Sequence, residues 1–269
     1  MESSTSQRPL ALVTGASSGI GLELARQFAT NGYDLVVTAE DDALTGAVGD
    51  LQTTGADVQS IQVDLTDSDG VDRVWEFARS QGRPLDAVAL NAGVGQGGAF
   101  KDTPLEAELT IVDLNVRSVV HLAKHVVQDM AARDSGRILF TSSIASTMPG
   151  ANQAVYNASK SFVQSLALAV RNELKDTNVS ITSLMPGPTE TEFFDRADMK
   201  DTKVGADTDG QDDPADVARD GFEALMAGKE RVVASSVATK VQGRIGRFVP
   251  DSVKAEMHRR MAKPGSAKK

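Results

Sequence analysis

The chain is predicted to be an α/β protein: one domain with a doubly wound, mainly parallel seven-stranded sheet and helices on both faces. Three observations predict this. Short apolar runs alternate with longer stretches of helical periodicity, at the spacing of βαβ crossovers. The first run enters a glycine-rich turn, TGASSGIG (Thr14–Gly21), that opens a helical stretch. No internal repeat or compositional break divides the 269 residues.

Taken in order, Leu10–Val13 reads as the first strand. Ile20, Leu24 and Phe28 then recur at helical spacing through Thr30. Asp34–Thr38 and Val58–Val63 read as strands two and three. The helical pattern Val71–Ala78 leads to strand Asp86–Leu90. One long helix is expected from Leu105 to Ala132, capped by Asp102 or Thr103 ahead of Pro104. Arg137–Thr141 is strand five, Ala154–Lys175 a helix and Val179–Leu184 strand six. After the polar run Asp198–Asp213, Asp213 caps a helix from Pro214 to Ala227, and Arg231–Ala234 completes the sheet.

Bulk properties narrow the function. There is no cysteine, which excludes disulfides, thiolate nucleophiles and cysteine-ligated metals. The polar start MESSTSQRP has no apolar core of a secretory signal, and no run is long enough to cross a bilayer, so a cytoplasmic protein is expected. Net charge is −9, yet from Lys240 onward nine Lys/Arg face two acids. The acidic body argues against nucleic acid as a partner.

The glycine pattern Gly15-x3-Gly19-x-Gly21 fits either a tight turn or a phosphate cradle; lying between a strand and a helix favours the cradle. Further along come NAG (Asn91–Gly93), Asn115, TSS (Thr141–Ser143) and YNASK (Tyr156–Lys160). Ser143 lies thirteen residues before Tyr156, and Asn115 twenty-eight before Ser143. Together, over about residues 8–235, these resemble the short-chain dehydrogenase/reductase family, in its compact subgroup of roughly 250 residues. The resemblance implies a Rossmann-type domain, taken here as residues 8–238, followed by a basic C-terminal extension, 239–269.

It further implies an oxidoreductase that moves a hydride between a nicotinamide dinucleotide and a carbonyl or secondary alcohol, with Asn115, Ser143, Tyr156 and Lys160 as catalytic set and no metal. Tyr156 and Lys160, four apart on a helix, share one face. A phenol of pKa near ~10 is too weak an acid for neutral pH. The ammonium, aided by an oxidised nicotinamide, is expected to lower it. Ser143, rather than its neighbour Ser142, would hydrogen-bond the substrate oxygen. Asn115 resembles the residue whose backbone holds a water beside the lysine.

Cofactor contacts are expected from Gly15, Ser17, Ser18, Gly19, Ile20 and Gly21, then Glu40, Asp64, Leu65, Asn91, Ala92 and Gly93. Tyr156, Lys160, Pro186, Gly187, Thr189 and Thr191 complete the set; Asp64 would meet the adenine and Thr191 the carboxamide. In the family an acid at the Ala39 position usually marks NAD, and an arginine at the Glu40 position NADP; this chain has neither. Glu40, followed by Asp41 and Asp42, would repel a 2′-phosphate, so NAD is expected over NADP. The alternatives are an NADPH-dependent carbonyl reductase with the same site, and a dinucleotide-binding regulatory or scaffolding module with little catalysis.

Substrate contacts are expected from Ser143, Tyr156, Phe193 and Phe194. The two phenylalanines can equally be core residues of a short helix. His121 and His125 stand at metal-ligand spacing, but no motif supplies a third ligand, which leaves a helix surface or subunit contact. In the tail, Asp251 would cap a helix with Val253, Met257 and Met261 in line beside Lys254, Arg259, Arg260 and Lys263. That helix would lie on an anionic membrane, cover the active-site mouth, meet an acidic neighbouring subunit, or simply stand in solvent before a frayed end. The resemblance implies a homodimer or homotetramer.

Overall fold

The structure is a computed structural model and describes residues 7–234 and 250–268. The expected domain boundary between 238 and 239, and the tail residues from Lys240 through Val249, lie outside the described residues.

Seven strands form one sheet: β1 (Leu10–Thr14), β2 (Asp34–Ala39), β3 (Val58–Gln62), β4 (Ala87–Leu90), β5 (Gly136–Thr141), β6 (Val179–Pro186) and β7 (Arg231–Ala234). Their order is β3-β2-β1-β4-β5-β6-β7, and every neighbouring pair is parallel. Strand order reverses between β1 and β4, where Val13 pairs with Val37 on one side and Ala89 on the other. Crossovers leave in opposite directions there, opening a crevice at the carboxyl ends of the strands.

Both faces are covered, and β1 shows why its apolar run is unbroken. Ala11 and Val13 face α1 (Gly19–Thr30) and α9 (Pro214–Met226) in a core holding Leu24, Phe28, Val217 and Phe222. Leu10 and Leu12 face the other side, with Val74 of α3 (Ser68–Arg79), Leu122 and Met130 of α5 (Ser118–Ala132), and Val163 of α6 (Ala154–Glu173). With period-two alternation, a strand buried on both faces must be apolar throughout.

The structure adds one helix to those expected and corrects the long helix and its cap. The connection after β2 contains a helix, α2 (Ala43–Gln52), whose Leu44, Ala47 and Leu51 are buried at helical spacing. Gly46 and Gly49 hid it; each lowers helix propensity by about 1 kcal/mol, and the packed face outweighs them. The long helix starts where expected but is interrupted: α4 (Leu105–Val112) and α5 are joined by a π-helical turn, Asp113–Arg117. Neither Asp102 nor Thr103 caps it. Pro104 holds the N-cap position, Thr103 donates to the Glu108 carboxylate at 2.7 Å, and Asp102 pairs with Lys101.

The tail forms α10 (Asp251–Ala262), with Pro250 rather than Asp251 at the cap; Asp251 pairs with Lys254 at 3.0 Å. Two further short helices, α7 (Phe193–Arg196) and α8 (Lys203–Ala206), follow β6. Asp213 does cap α9, accepting from the Ala215 amide at 2.8 Å. Among the described residues no helix is long and apolar enough to cross a membrane.

Candidate active site

The glycine turn sits at the strand-order reversal. Gly15 adopts φ +66°, a left-handed conformation that side chains disfavour. A Cβ at Gly21 would lie 1.8 Å from the Gly15 carbonyl oxygen, so α1 presses directly on the turn. The freed amides at the start of α1 face the cleft, whose wall includes Gly15, Ser17, Ser18, Gly19, Ile20 and Gly21.

The adjoining NAG segment is held by short side chains. The Thr14 hydroxyl accepts from the Asn91 and Ala92 amides at 2.9 and 3.0 Å, and Thr141 donates to Asn91 Oδ1 at 3.1 Å. Asn115 stands behind the cleft wall within the π-helical turn: its Oδ1 accepts from the Val94 amide, and its Nδ2 donates to the Val94 carbonyl and Ser159. Its side chain is therefore spent on fixing the segment after Gly93.

Ser143, Tyr156 and Lys160 meet in the cleft. Ser143 Oγ accepts from the Ala145 amide at 3.1 Å, and its side chain is near enough to the Tyr156 hydroxyl to favour the phenolate. Ser142, by contrast, donates to the Lys160 carbonyl at 3.0 Å and is used to seat α6. Lys160 Nζ donates to the Thr141 carbonyl at 3.0 Å and lies 5.9 Å from the centre of the Tyr156 ring. The expected acidification of the phenol is not the net result in the protein alone. Burial pushes Tyr156 up to about 12, with the Ser143 hydrogen bond pulling the other way, and burial pushes Lys160 down to about 8. Desolvation penalises phenolate and ammonium alike.

At the adenosine end, Glu40 and Leu65 line the cleft. Asp64 does not; its carboxylate accepts from the amide and hydroxyl of Thr66 at 2.8 and 2.7 Å. Asp41 accepts from Ser17 at 3.1 Å and Arg196 at 3.3 Å, while its Oδ1 is buried without a partner among the described residues. Pro186, Gly187, Thr189 and Thr191 form the facing wall, and the Thr191 methyl packs on Gly19.

The substrate end is built from α7, α8 and α10. The Phe193 ring lies 5.1 Å from the Tyr156 ring and closes on Gly95. Phe194 lines the cleft too and packs with Ala197, Met199 and Ala262 in a small separate core, with Phe193 against it. Met148, Gln153, Val204, His258 and Met261 were missed and also face this space. Of the readings of the tail, the structure has the one that covers the mouth. His258 Nδ1 bonds the Ala151 carbonyl at 2.9 Å, the Gly265 amide donates to Asp201 at 2.6 Å, and Ser266 accepts from the Lys203 amide at 3.0 Å.

With this geometry, the comparisons converge. Residues 9–201 match the short chain dehydrogenase family. The chain is 36% identical over 191 residues to 1-deoxy-11-beta-hydroxypentalenate dehydrogenase of Streptomyces avermitilis, across 69% of this chain and 70% of that protein. It is 31% identical to an NADP-dependent 3-hydroxy acid dehydrogenase of Salmonella typhi, across 66% and 71%. A short-chain dehydrogenase from Sphingobium yanoikuyae, solved with NADPH, aligns with a TM-score of 0.79 at 26% identity, covering 89% of this chain and 93% of that one. A family member from Burkholderia phymatum, solved with NAD, shares the fold at a TM-score of 0.80 and 24% identity, covering 96% and 98%. The chain belongs to the short-chain dehydrogenase/reductase family and is a nicotinamide-dinucleotide-dependent oxidoreductase.

Proposed function

We propose that the protein interconverts a ketone and a secondary alcohol on a largely apolar substrate, with NAD as preferred cofactor. The reading rests on one observation: Ser143, Tyr156 and Lys160 meet in the cleft at the strand-order reversal. The residues present fit a dinucleotide, since a side chain at Gly21 would collide with the turn and the amides of α1 front the cleft. When bound, the nicotinamide supplies the hydride donor or acceptor.

Tyr156 gives its hydroxyl proton to the carbonyl oxygen during reduction and takes it back during oxidation. Ser143 hydrogen-bonds the same oxygen and steadies charge developing there. Lys160 uses one N–H on the Thr141 carbonyl, leaving two for ribose hydroxyls and a charge that favours phenolate. Asn115 is a positioning residue whose side chain holds the wall at Val94 and whose backbone carbonyl would hold a water beside the lysine. Met148, Phe193, Val204 and Met261 give the substrate apolar contacts, and Gln153 and His258 offer polar ones. Relatives named as dehydrogenases of a hydroxypentalenate and of 3-hydroxy acids support a hydroxyl-bearing substrate.

The preference for NAD rests on Asp41 and Glu40. A carboxylate ~4 Å from a phosphate repels it by roughly 1 kcal/mol in water and about 4 kcal/mol at an effective dielectric of ~20. The unpartnered Asp41 Oδ1 needs a donor, which a ribose hydroxyl has and a phosphate dianion lacks. Arg196, the one guanidinium on the cleft wall among the described residues, is already paired with Asp41 and with Glu192 at 2.7 Å.

A panel of ketones and alcohols, followed by nicotinamide absorbance, tests the activity. Turnover with NADH at a KM at least tenfold below that for NADPH is the expected result. A preference for NADPH overturns the NAD assignment alone; no turnover with any substrate favours the scaffolding alternative. Tyr156→Phe is expected to lose about 10³-fold in kcat with cofactor affinity nearly unchanged. Full activity in that variant would overturn the proton-transfer role.

We also propose a homo-oligomer. Leu105, Leu109, Val112 and Val120 leave an exposed apolar stripe along α4 and α5, and Phe162 of α6 is exposed as well. Apolar patches of this kind mark protein–protein contacts.

A further inference from the structure

His121 and His125 belong to none of the chemistry above, and neither lines the cleft. The spacing on α5 offers two imidazoles on one face; folding brings a third group to them from α3. His121 Nε2 and His125 Nε2 lie 3.0 and 3.1 Å from the same oxygen, Asp72 Oδ1. We propose that Asp72, His121 and His125 form a binding site for a divalent transition-metal ion, of the Zn2+ or Cu2+ class, that clips α3 to α5.

The geometry suits such an ion. Zinc holds nitrogen and oxygen ligands at ~2.0–2.2 Å, so two ligands of a tetrahedron lie roughly 3.3 Å apart. Both histidine–aspartate separations are already close to that, and all three ligand atoms lie within 4.8 Å of one another. Two imidazoles and one carboxylate select a borderline ion; magnesium and calcium favour oxygen ligands throughout. Neither ring has a protein partner at Nδ1 among the described residues, so each can carry its proton there and turn an unprotonated Nε2 to the ion.

The site is supported from behind. Trp75, one turn along α3 from Asp72, stacks on His125 with ring centres 5.4 Å apart and planes within 9°. That contact fixes the imidazole plane, as partners behind metal ligands do elsewhere. All three side chains are partly exposed, Asp72 by 48%, so an ion can enter and water can complete its coordination. Without an ion the same atoms make two imidazole–carboxylate hydrogen bonds, and the experiment must separate these states.

Trp75 is the only tryptophan in the chain, which makes it a built-in probe. Untagged protein is titrated with Cu2+ while tryptophan emission is followed, and Zn2+ is then used as competitor. The expected result is saturable quenching with one equivalent, reversed by EDTA and displaced by Zn2+. His121→Gln, which leaves the Trp75–His125 stack in place, is expected to raise the midpoint at least tenfold, and Asp72→Asn to do the same. In parallel, Zn2+ that saturates the parent should raise its melting temperature by about 5 °C and that of His121→Gln by clearly less. Quenching that does not saturate, or that is the same in His121→Gln, overturns the site. Should both variants unfold, the unmodified protein still decides: a stoichiometry far from one, or no competition by Zn2+, also overturns it.

Discussion

The two ends of the cleft are made differently. At the dinucleotide end, backbone is held by backbone and by short side chains: Thr14 on the Asn91 and Ala92 amides, Asn115 on Val94, and Gly21 against Gly15. At the substrate end, short helices α7 and α8 carry a small core of Phe194, Ala197 and Met199, closed by Ala262 from the tail. The first end is a continuation of the sheet and shares its core. The second has little burial of its own and depends on a segment that arrives from the far end of the sequence. Chemistry common to a whole reaction class needs the rigid arrangement, whereas choice among substrates can be lodged in the detachable one.

Breaking the rigid end should have the largest effect. In Gly21→Ala the new methyl meets a carbonyl oxygen that no rotamer change can move away. We expect dinucleotide affinity, measured by nicotinamide fluorescence, to fall roughly 100-fold. The melting temperature should fall by about 5 °C or more, since overpacking costs ~1–3 kcal/mol. An unchanged affinity would mean that α1 can slide away from the turn.

Ending the chain at Val249 tests the other side. Removing α10 takes His258, Met261 and Ala262 from the mouth. Substrate KM is expected to rise about tenfold, in keeping with the ~1–3 kcal/mol of a few apolar contacts, with cofactor affinity preserved. Loss of both together would show that the two ends are one cooperative unit.

A pH profile sharpens the comparison from within the rigid end. Lys160, pushed down to about 8, keeps its ammonium below that pH and sheds it above. Tyr156, pushed up to about 12, stays protonated throughout the neutral range. Carbonyl reduction needs both phenol and ammonium, so its kcat/KM should be level from pH 6 to 7 and fall as pH rises through about 8. Alcohol oxidation needs the phenolate and should climb with pH instead. A reduction rate that is flat to pH 10 would contradict the lowered lysine.

The smallest expected effect concerns the proposed subunit contact. Leu109→Glu should shift light-scattering mass toward the monomer and leave the melting temperature within a few degrees. An unchanged mass would remove that stripe as an interface.

The same contrast governs what was legible in the sequence. The strands and most helices carry their signal locally, because a strand buried on both faces must be apolar, as Leu10–Val13 is. The YNASK spacing likewise puts Tyr156 and Lys160 on one face by helix geometry alone. What escaped depends on distant chain. Nothing near His258 announces that Ala151 will hold it, and nothing near His125 announces Asp72. Asp64 and Asp41 lie in similar strand-to-helix turns, yet Asp64 bonds its neighbour Thr66, whereas Asp41 lines the cleft and meets Arg196 from far along the chain. The sign of the Tyr156 shift was missed for a related reason, since desolvation is a property of everything packed around a group.

The π-helical turn at Asp113–Arg117 bears on how tolerant the chain is to small length changes. A π-helical turn holds one residue more than an α-helical turn over nearly the same rise and rotation, so deleting one residue there would leave an unbroken α-helix whose far half still faces as before. Val119, Leu122 and Val126 would keep their places against the sheet, and His121 and His125 theirs beside Asp72. Shortening by one position, which would misalign half of a layer anywhere along α5, is absorbed at this turn and alters only how Asn115 and its neighbours are presented.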